Sequence, residues 1–148
     1  MRTIFRAALL AAAILTGSWA YGASGEPIGV VKTVSGEVVV SRNGHAIKAE
    51  PNLKLQEGDV VQTGPNGKAG LILADDTVIS LGMDSRVVLK SFQFEPDQKK
   101  MSLIARLLHG TASFLSGQLA KLAPRQVHIE TPNATVGVRG THVLVKVD

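Results

Sequence analysis

No cysteine occurs among the 148 residues. Disulfides, thiolate chemistry and cysteine-held metals are thereby excluded, and stability has to come from packing and hydrogen bonding. Aromatic residues are nearly as scarce, with one Trp, one Tyr and four Phe. Phe5 and Trp19 lie within the first twenty residues, which leaves Tyr21, Phe92, Phe94 and Phe114 for the rest of the chain. That is too few for the flat platforms on which proteins stack sugars or bases. Clustered charge is also missing. The formal net charge of +4 includes Arg2 and Arg6 and falls to +2 without them, and the remaining Lys and Arg are scattered. Nucleic acid is therefore not an expected partner. No apolar run reaches the roughly 20 residues that a membrane-spanning helix needs.

The longest apolar run, Ala7 to Leu15, follows Arg2 and Arg6 and leads into Ser18-Trp19-Ala20. A basic start, a short apolar centre and small residues in that order form an export signal. Residues 1–20 are thus expected to be a cleaved signal peptide, with a cut after Ala20 or as late as Ala23. Residues 21–27 would be a short leader and 28–147 one domain. The absence of cysteine near the cut excludes a lipid anchor, and Arg2 and Arg6 are not adjacent as a twin-arginine signal requires. The expected location is periplasmic or secreted, with no stable membrane insertion after cleavage.

From Ile28 onward, short runs of β-branched residues alternate with turn residues, which predicts an all-β domain of short, mostly antiparallel strands, a β-sandwich or a solenoid-like β-roll. Asn43-Gly44 predicts a hairpin returning through His45 to Ala49, and Gly64-Pro65-Asn66-Gly67 a further turn. The runs at 68–74, 77–81 and 86–94 read as a meander, and 95–100 as a polar loop. Met101 to His109 and Thr111 to Leu115 are ambiguous, because Leu103, Leu107 and Leu108 also fit one side of a helix; strands are favoured. One short helix is expected at 116–123, with Ser116 as its cap and Pro124 as its stop. Three more strands follow, at 126–131, 134–138 and 141–147.

The residues offer little catalytic chemistry. His45, His109, His128 and His142 have no metal-ligand spacing, although His128 and His142 fall on neighbouring predicted strands that could bring them together. Asp75-Asp76 reads as a hairpin turn rather than a carboxylate pair, since adjacent strand residues face opposite ways. No serine has the strained context of a nucleophile. Catalytic, cofactor-binding and metal sites are all read as none, and the protein as not an enzyme. Gly137-Val138-Arg139-Gly140 reads first as structure: the glycines permit a tight reversal or close backbone approach, and Arg139 can donate to carbonyls or a carboxylate. Contact with a partner is the alternative.

Two blocks carry a resemblance. The first, within residues 30–82, places Gly36, Gly58-Asp59, Thr63-Gly64, Gly67 and Asp75-Asp76. The second is the closing run of Thr131-Pro132, Ala134-Thr135-Val136-Gly137 and Arg139-Gly140-Thr141. Together they resemble the FecR domain family over about residues 28–147. The resemblance implies a β-rich extracytoplasmic module, similar to the periplasmic part of regulators that pass a signal from an outer-membrane receptor to a sigma factor. Those regulators also carry a cytoplasmic helical segment and a membrane-spanning helix, neither of which is read here, so the chain is expected to be a stand-alone exported form. The expected function is a non-catalytic protein-interaction or sensory module of the cell envelope with a protein partner, with no cofactor. The alternative is a structural component binding peptidoglycan or an exopolysaccharide. Thr131, Pro132, Thr135, Gly137, Arg139, Gly140 and Thr141 are the candidate contact residues.

Overall fold

The computed structural model describes residues 25–138 and 140–148. The expected signal peptide, its cleavage site, the first residues of the leader and Arg139 lie outside the described residues. Twelve strands form one curled, mostly antiparallel sheet, a half-barrel that folds over a single core. The all-β expectation holds, and the curl places two layers of strands face to face.

The first layer runs in the order β4 (Lys54–Leu55), β1 (Gly29–Ser35), β6 (Lys68–Leu73), β7 (Val78–Leu81), β9 (Lys100–Leu115) and β12 (His142–Val147). The second is β3 (His45–Lys48), β2 (Val38–Arg42), β5 (Val60–Thr63), β8 (Arg86–Glu95), β9 again, β10 (Val127–Glu130) and β11 (Thr135–Gly137). Strand β9 therefore belongs to both layers. Its residues 100–109 pair with β8, and its residues 110–115 pair with β12.

Gly110 makes this double membership possible. Its φ of +90° lies in the left-handed region that residues with a Cβ rarely adopt. Before it, Leu103, Ala105 and Leu107 are buried; after it, Ala112 and Phe114 are. The buried parity changes from odd to even at the bend, so each half of the strand turns its apolar face to the same core. The favoured strand reading of these two runs holds, and Gly110 between them joins both into one bent strand.

Several local expectations hold. Asn43 and Gly44 have φ of 51° and 77°, the pair of positive values that a tight hairpin turn needs, and β2 and β3 pair across them. The polar break becomes a short 3₁₀ turn at Pro96–Gln98 joining β8 to β9. The short helix α1 is present at Gln118–Leu122.

Two expectations are corrected. The run 68–94 is not a meander: β6 and β7 pair, but β8 lies in the second layer beside β5. Ser116 does not cap α1; its hydroxyl donates to the Gly140 carbonyl at 2.9 Å, and Gly117 takes the cap position. The acceptor comes instead from the β6–β7 turn, where the fully buried Asp75 side chain accepts from the Leu119 amide at 3.1 Å. Within the mostly antiparallel sheet, β10 runs parallel to β9. The connection through α1 and the 3₁₀ turn Pro124–Gln126 is long enough to bring the chain back in the same direction, which a hairpin cannot do.

Candidate functional site

The two motif blocks meet different fates in the fold. The first block is built into the core and its corners. Gly36 has φ +68°, and a Cβ there would lie 2.1 Å from the Asn66 carbonyl oxygen; one at Gly67 would lie 2.2 Å from that of Glu37. These glycines let the corner between β1 and β2 pass under the β5–β6 turn.

Asp59 is fully buried and receives the Arg42 guanidinium in a forked pair, Nε to Oδ1 at 2.9 Å and Nη2 to Oδ2 at 2.8 Å. The same carboxyl group accepts the Gln56 amide at 2.9 Å, and Arg42 also donates to the Lys54 carbonyl. The hydrogen bond that Arg42 donates to Asp59, opposed by partial burial and assisted by the Asp59 charge, raises the Arg42 pKa above its ordinary value. Arg42→Ala strands this buried acceptor. Because Arg42 is partly solvated, the expected loss is about 2 kcal/mol, below the 3–5 kcal/mol range for fully buried pairs. Urea unfolding checks it, with Asp59→Asn in the Arg42→Ala background expected to recover part of the loss.

Thr63 and Ser85 form a second buried knot. Thr63 Oγ1 donates to the Gly82 carbonyl at 2.6 Å and accepts the Ser85 amide at 2.9 Å, while Ser85 Oγ accepts the Thr111 amide at 2.9 Å. Asp75 completes the set. It lies in a turn, as expected, and accepts from the Thr77 amide, the Thr77 hydroxyl and the Leu119 amide. Asp59, Thr63 and Asp75 thus serve the fold.

The closing block lies on the surface. Thr131 turns the chain locally, its hydroxyl accepting the Ala134 amide at 3.0 Å, and Pro132 stands exposed in the turn between β10 and β11. Thr135, opposite Glu130, and Gly137, opposite His128, lie on β11, which has β10 as its sheet neighbour. Gly140 and Thr141 are held through their backbones to Ser116, and both are exposed. Val138, next to Gly137, is buried and pins the segment to the core. Arg139, the remaining candidate, lies outside the described residues.

The two glycines of this block differ. Gly140 has φ +110°, so its conformation accounts for the residue type. Gly137 has no positive φ, and nothing lies within 4 Å of the position its Cβ would occupy. Of the tight reversal or close backbone approach expected from the glycines, Gly137 shows no close approach to the described residues beyond its chain neighbours. What lies beside it is a surface cleft of about 500 Å³ lined by Pro124, Arg125, His128, Gly137, Val138 and Gly140. Pro124, read by sequence only as a helix stop, and Arg125, not singled out there, reach the cleft through the parallel return to β10, which no local pattern reveals.

The histidines do not converge. His128 lies opposite Ile104 and His142 opposite Leu115, towards opposite ends of β9 and in different layers, so the meeting expected from neighbouring strands is corrected. His142 Nε2 is 2.6 Å from Ser113 Oγ, and His109 Nδ1 is 2.6 Å from the Asp84 carbonyl oxygen. Among the described residues no three His, Asp or Glu side chains group as metal ligands, and no helix is long and apolar enough to cross a membrane.

Comparison with known proteins returns one family. The model described as FecR protein matches residues 59–148, a span that includes Asp59, Thr63, Asp75 and the whole closing block. No curated protein and no solved structure gives a match.

Proposed function

The chain belongs to the FecR protein family, and on that premise we propose that it is a non-catalytic, extracytoplasmic sensory module that docks another envelope protein at its closing corner. The single observation that carries this reading is the contrast between the blocks. The first is consumed by internal hydrogen bonds and tight glycine corners. The second leaves Pro132, Thr135, Gly137, Gly140 and Thr141 exposed, with Gly137 and Gly140 lining a cleft. A glycine with open space above it admits the main chain of an incoming segment more closely than any other residue. Among the described residues β11 has a strand neighbour on one side only, so an extended segment of the partner adds as a strand on the other. Arg125 and His128 at the rim provide donors for its carbonyls or carboxylates. The export signal read at residues 1–20 supports a periplasmic or extracellular setting for this encounter.

A photo-crosslinking residue at Thr135, in cells that produce the protein, tests the reading against the same residue at the exposed Ala46 on the opposite edge strand β3. One protein adduct of defined mass is expected from position 135 and none from 46. Gly137→Val fills the open space and is expected to reduce the adduct at least about tenfold, roughly 1.4 kcal/mol of binding, without changing thermal stability. Equal adducts from both positions, or an adduct indifferent to Gly137→Val, would sink the proposal. Co-sedimentation with purified cell wall or polysaccharide in place of a protein adduct would favour the structural-component alternative.

A further inference from the structure

Apart from the cleft, β12 is the edge the fold leaves least protected. Open strand edges are normally kept short, charged or covered, because their free amides and carbonyls pair with any strand that approaches. The other open edges among the described residues follow that rule: β4 has two residues, β11 three, and β3 four with Lys48 at its end. The six residues of β12, His-Val-Leu-Val-Lys-Val, carry one full charge, and Leu144 at the centre is 69% exposed.

The hydrogen-bond parity of this edge is fixed by its neighbours. The Gly82 amide donates to the Thr111 carbonyl, so the odd residues of β9 bond towards β7. The Ser116 amide donates to the Thr141 carbonyl, so the even residues bond towards β12 and meet Val143, Val145 and Val147. The amides and carbonyls of His142, Leu144 and Lys146 therefore point away from the sheet. Their side chains share the solvent face, while Val143, Val145 and Val147 are half-buried on the core side.

We infer that β12 pairs antiparallel with β12 of a second copy of this chain, about a two-fold axis through Leu144. A strand whose outward groups are spaced symmetrically about one residue is complementary to itself. In this register His142 faces Lys146 of the second copy, Leu144 faces Leu144, and Lys146 faces His142, so every outward amide and carbonyl of these residues finds a partner. On the core side Val143 meets Val145 of the second copy, extending the apolar row of the first layer of each copy. No other two-fold register pairs all three outward residues. A single strand pair buries less than the roughly 800 Å² per partner of a stable interface, so the dimer is a weak, dynamic one. The inference is independent of the cleft, which lies on another edge.

Sedimentation equilibrium of the purified exported protein up to about 100 μM is expected to show a monomer–dimer equilibrium. Leu144→Lys and Leu144→Glu each place like charges at the axis and are expected to be monomeric, folded and at least tenfold weaker in self-association. Mixing them is expected to restore a heterodimer, which a merely destabilising substitution would not do. Leu144→Pro removes an outward amide and is expected to leave a folded monomer, whereas Val145→Pro removes a bond to β9 and is expected to destabilise the fold. A wild-type protein that stays monomeric over this range would overturn the inference and leave the cleft untouched. A wild-type dimer that survives both charged variants, or charged variants that do not combine, would overturn the pairing about Leu144.

Discussion

Replacing Gly110 by valine is expected to cost about 4 kcal/mol or more, a large part of the 5–15 kcal/mol by which a domain of this size is stable. A Cβ at this position would lie 2.3 Å from Ser85 Oγ, 2.5 Å from Ser85 Cα and 2.7 Å from the Asp84 carbonyl oxygen. Two of the three atoms are backbone, so no side-chain rotation relieves the overlap. The φ of +90° adds conformational strain of its own. Either Ser85 moves, which breaks its buried bonds to the Thr63 hydroxyl and the Thr111 amide, or β9 straightens and one of its halves loses register. Alanine already carries the offending Cβ and is expected to lose nearly as much. Gly137→Ala supplies the control, since its Cβ meets nothing and its φ is not positive; a change within about 0.5 kcal/mol is expected there. Thermal unfolding followed by circular dichroism measures both. A Gly110→Ala protein as stable as Gly137→Ala would show that β9 does not depend on this bend.

The second large effect is expected at Asp75. Its side chain is fully buried and takes three donors, the Thr77 amide at 3.1 Å, the Thr77 hydroxyl at 2.7 Å and the Leu119 amide at 3.1 Å. Its backbone carbonyl also accepts the Gln118 amide at 2.7 Å, and Gly117 packs so closely that a Cβ there would lie 2.2 Å from that oxygen. The turn between β6 and β7 thus does for α1 what its own preceding residue does not. Asp75→Ala leaves three donors unmet, two of them amides that cannot turn towards solvent, and is expected to cost about 3–4 kcal/mol. Asp75→Asn keeps one carbonyl acceptor but turns an NH₂ group towards existing donors, and about 2 kcal/mol is expected. Hydrogen exchange separates this from a general loss of stability. The amides of Gln118 and Leu119 should lose protection at concentrations of denaturant where the β2–β5 and β5–β8 ladders remain protected. Uniform loss across the sheet would instead make Asp75 an ordinary member of the core.

These two residues also divide what was legible from what was not. The Asp75-Asp76 turn was readable because it depends on neighbouring residues, and Asp76 does adopt a φ of +69°. That Asp75 would hold an amide forty-four residues further along was not, because nothing in either segment marks the other. The closing block presented the reverse case. Its motif was visible, and a structural reading of its glycines was the simpler one; yet only Gly140 has backbone geometry that requires glycine, while Gly137 faces open space beside a cleft.

Alternation along β6, β7 and β10 and the Asn43-Gly44 reversal follow from the sequence by itself, since each is set by contacts within a few residues. The distribution of those strands between two layers was decided by tertiary structure. Strand β8 leaves the expected meander, β10 returns parallel, and β9 serves both layers because one glycine reverses its buried parity. Burial rewards any arrangement that covers the apolar faces, and the alternation of a single strand does not say which neighbour will cover it. That choice rests on buried polar knots such as Thr63 with Ser85 and Asp75 with α1, whose members meet only after the chain has closed.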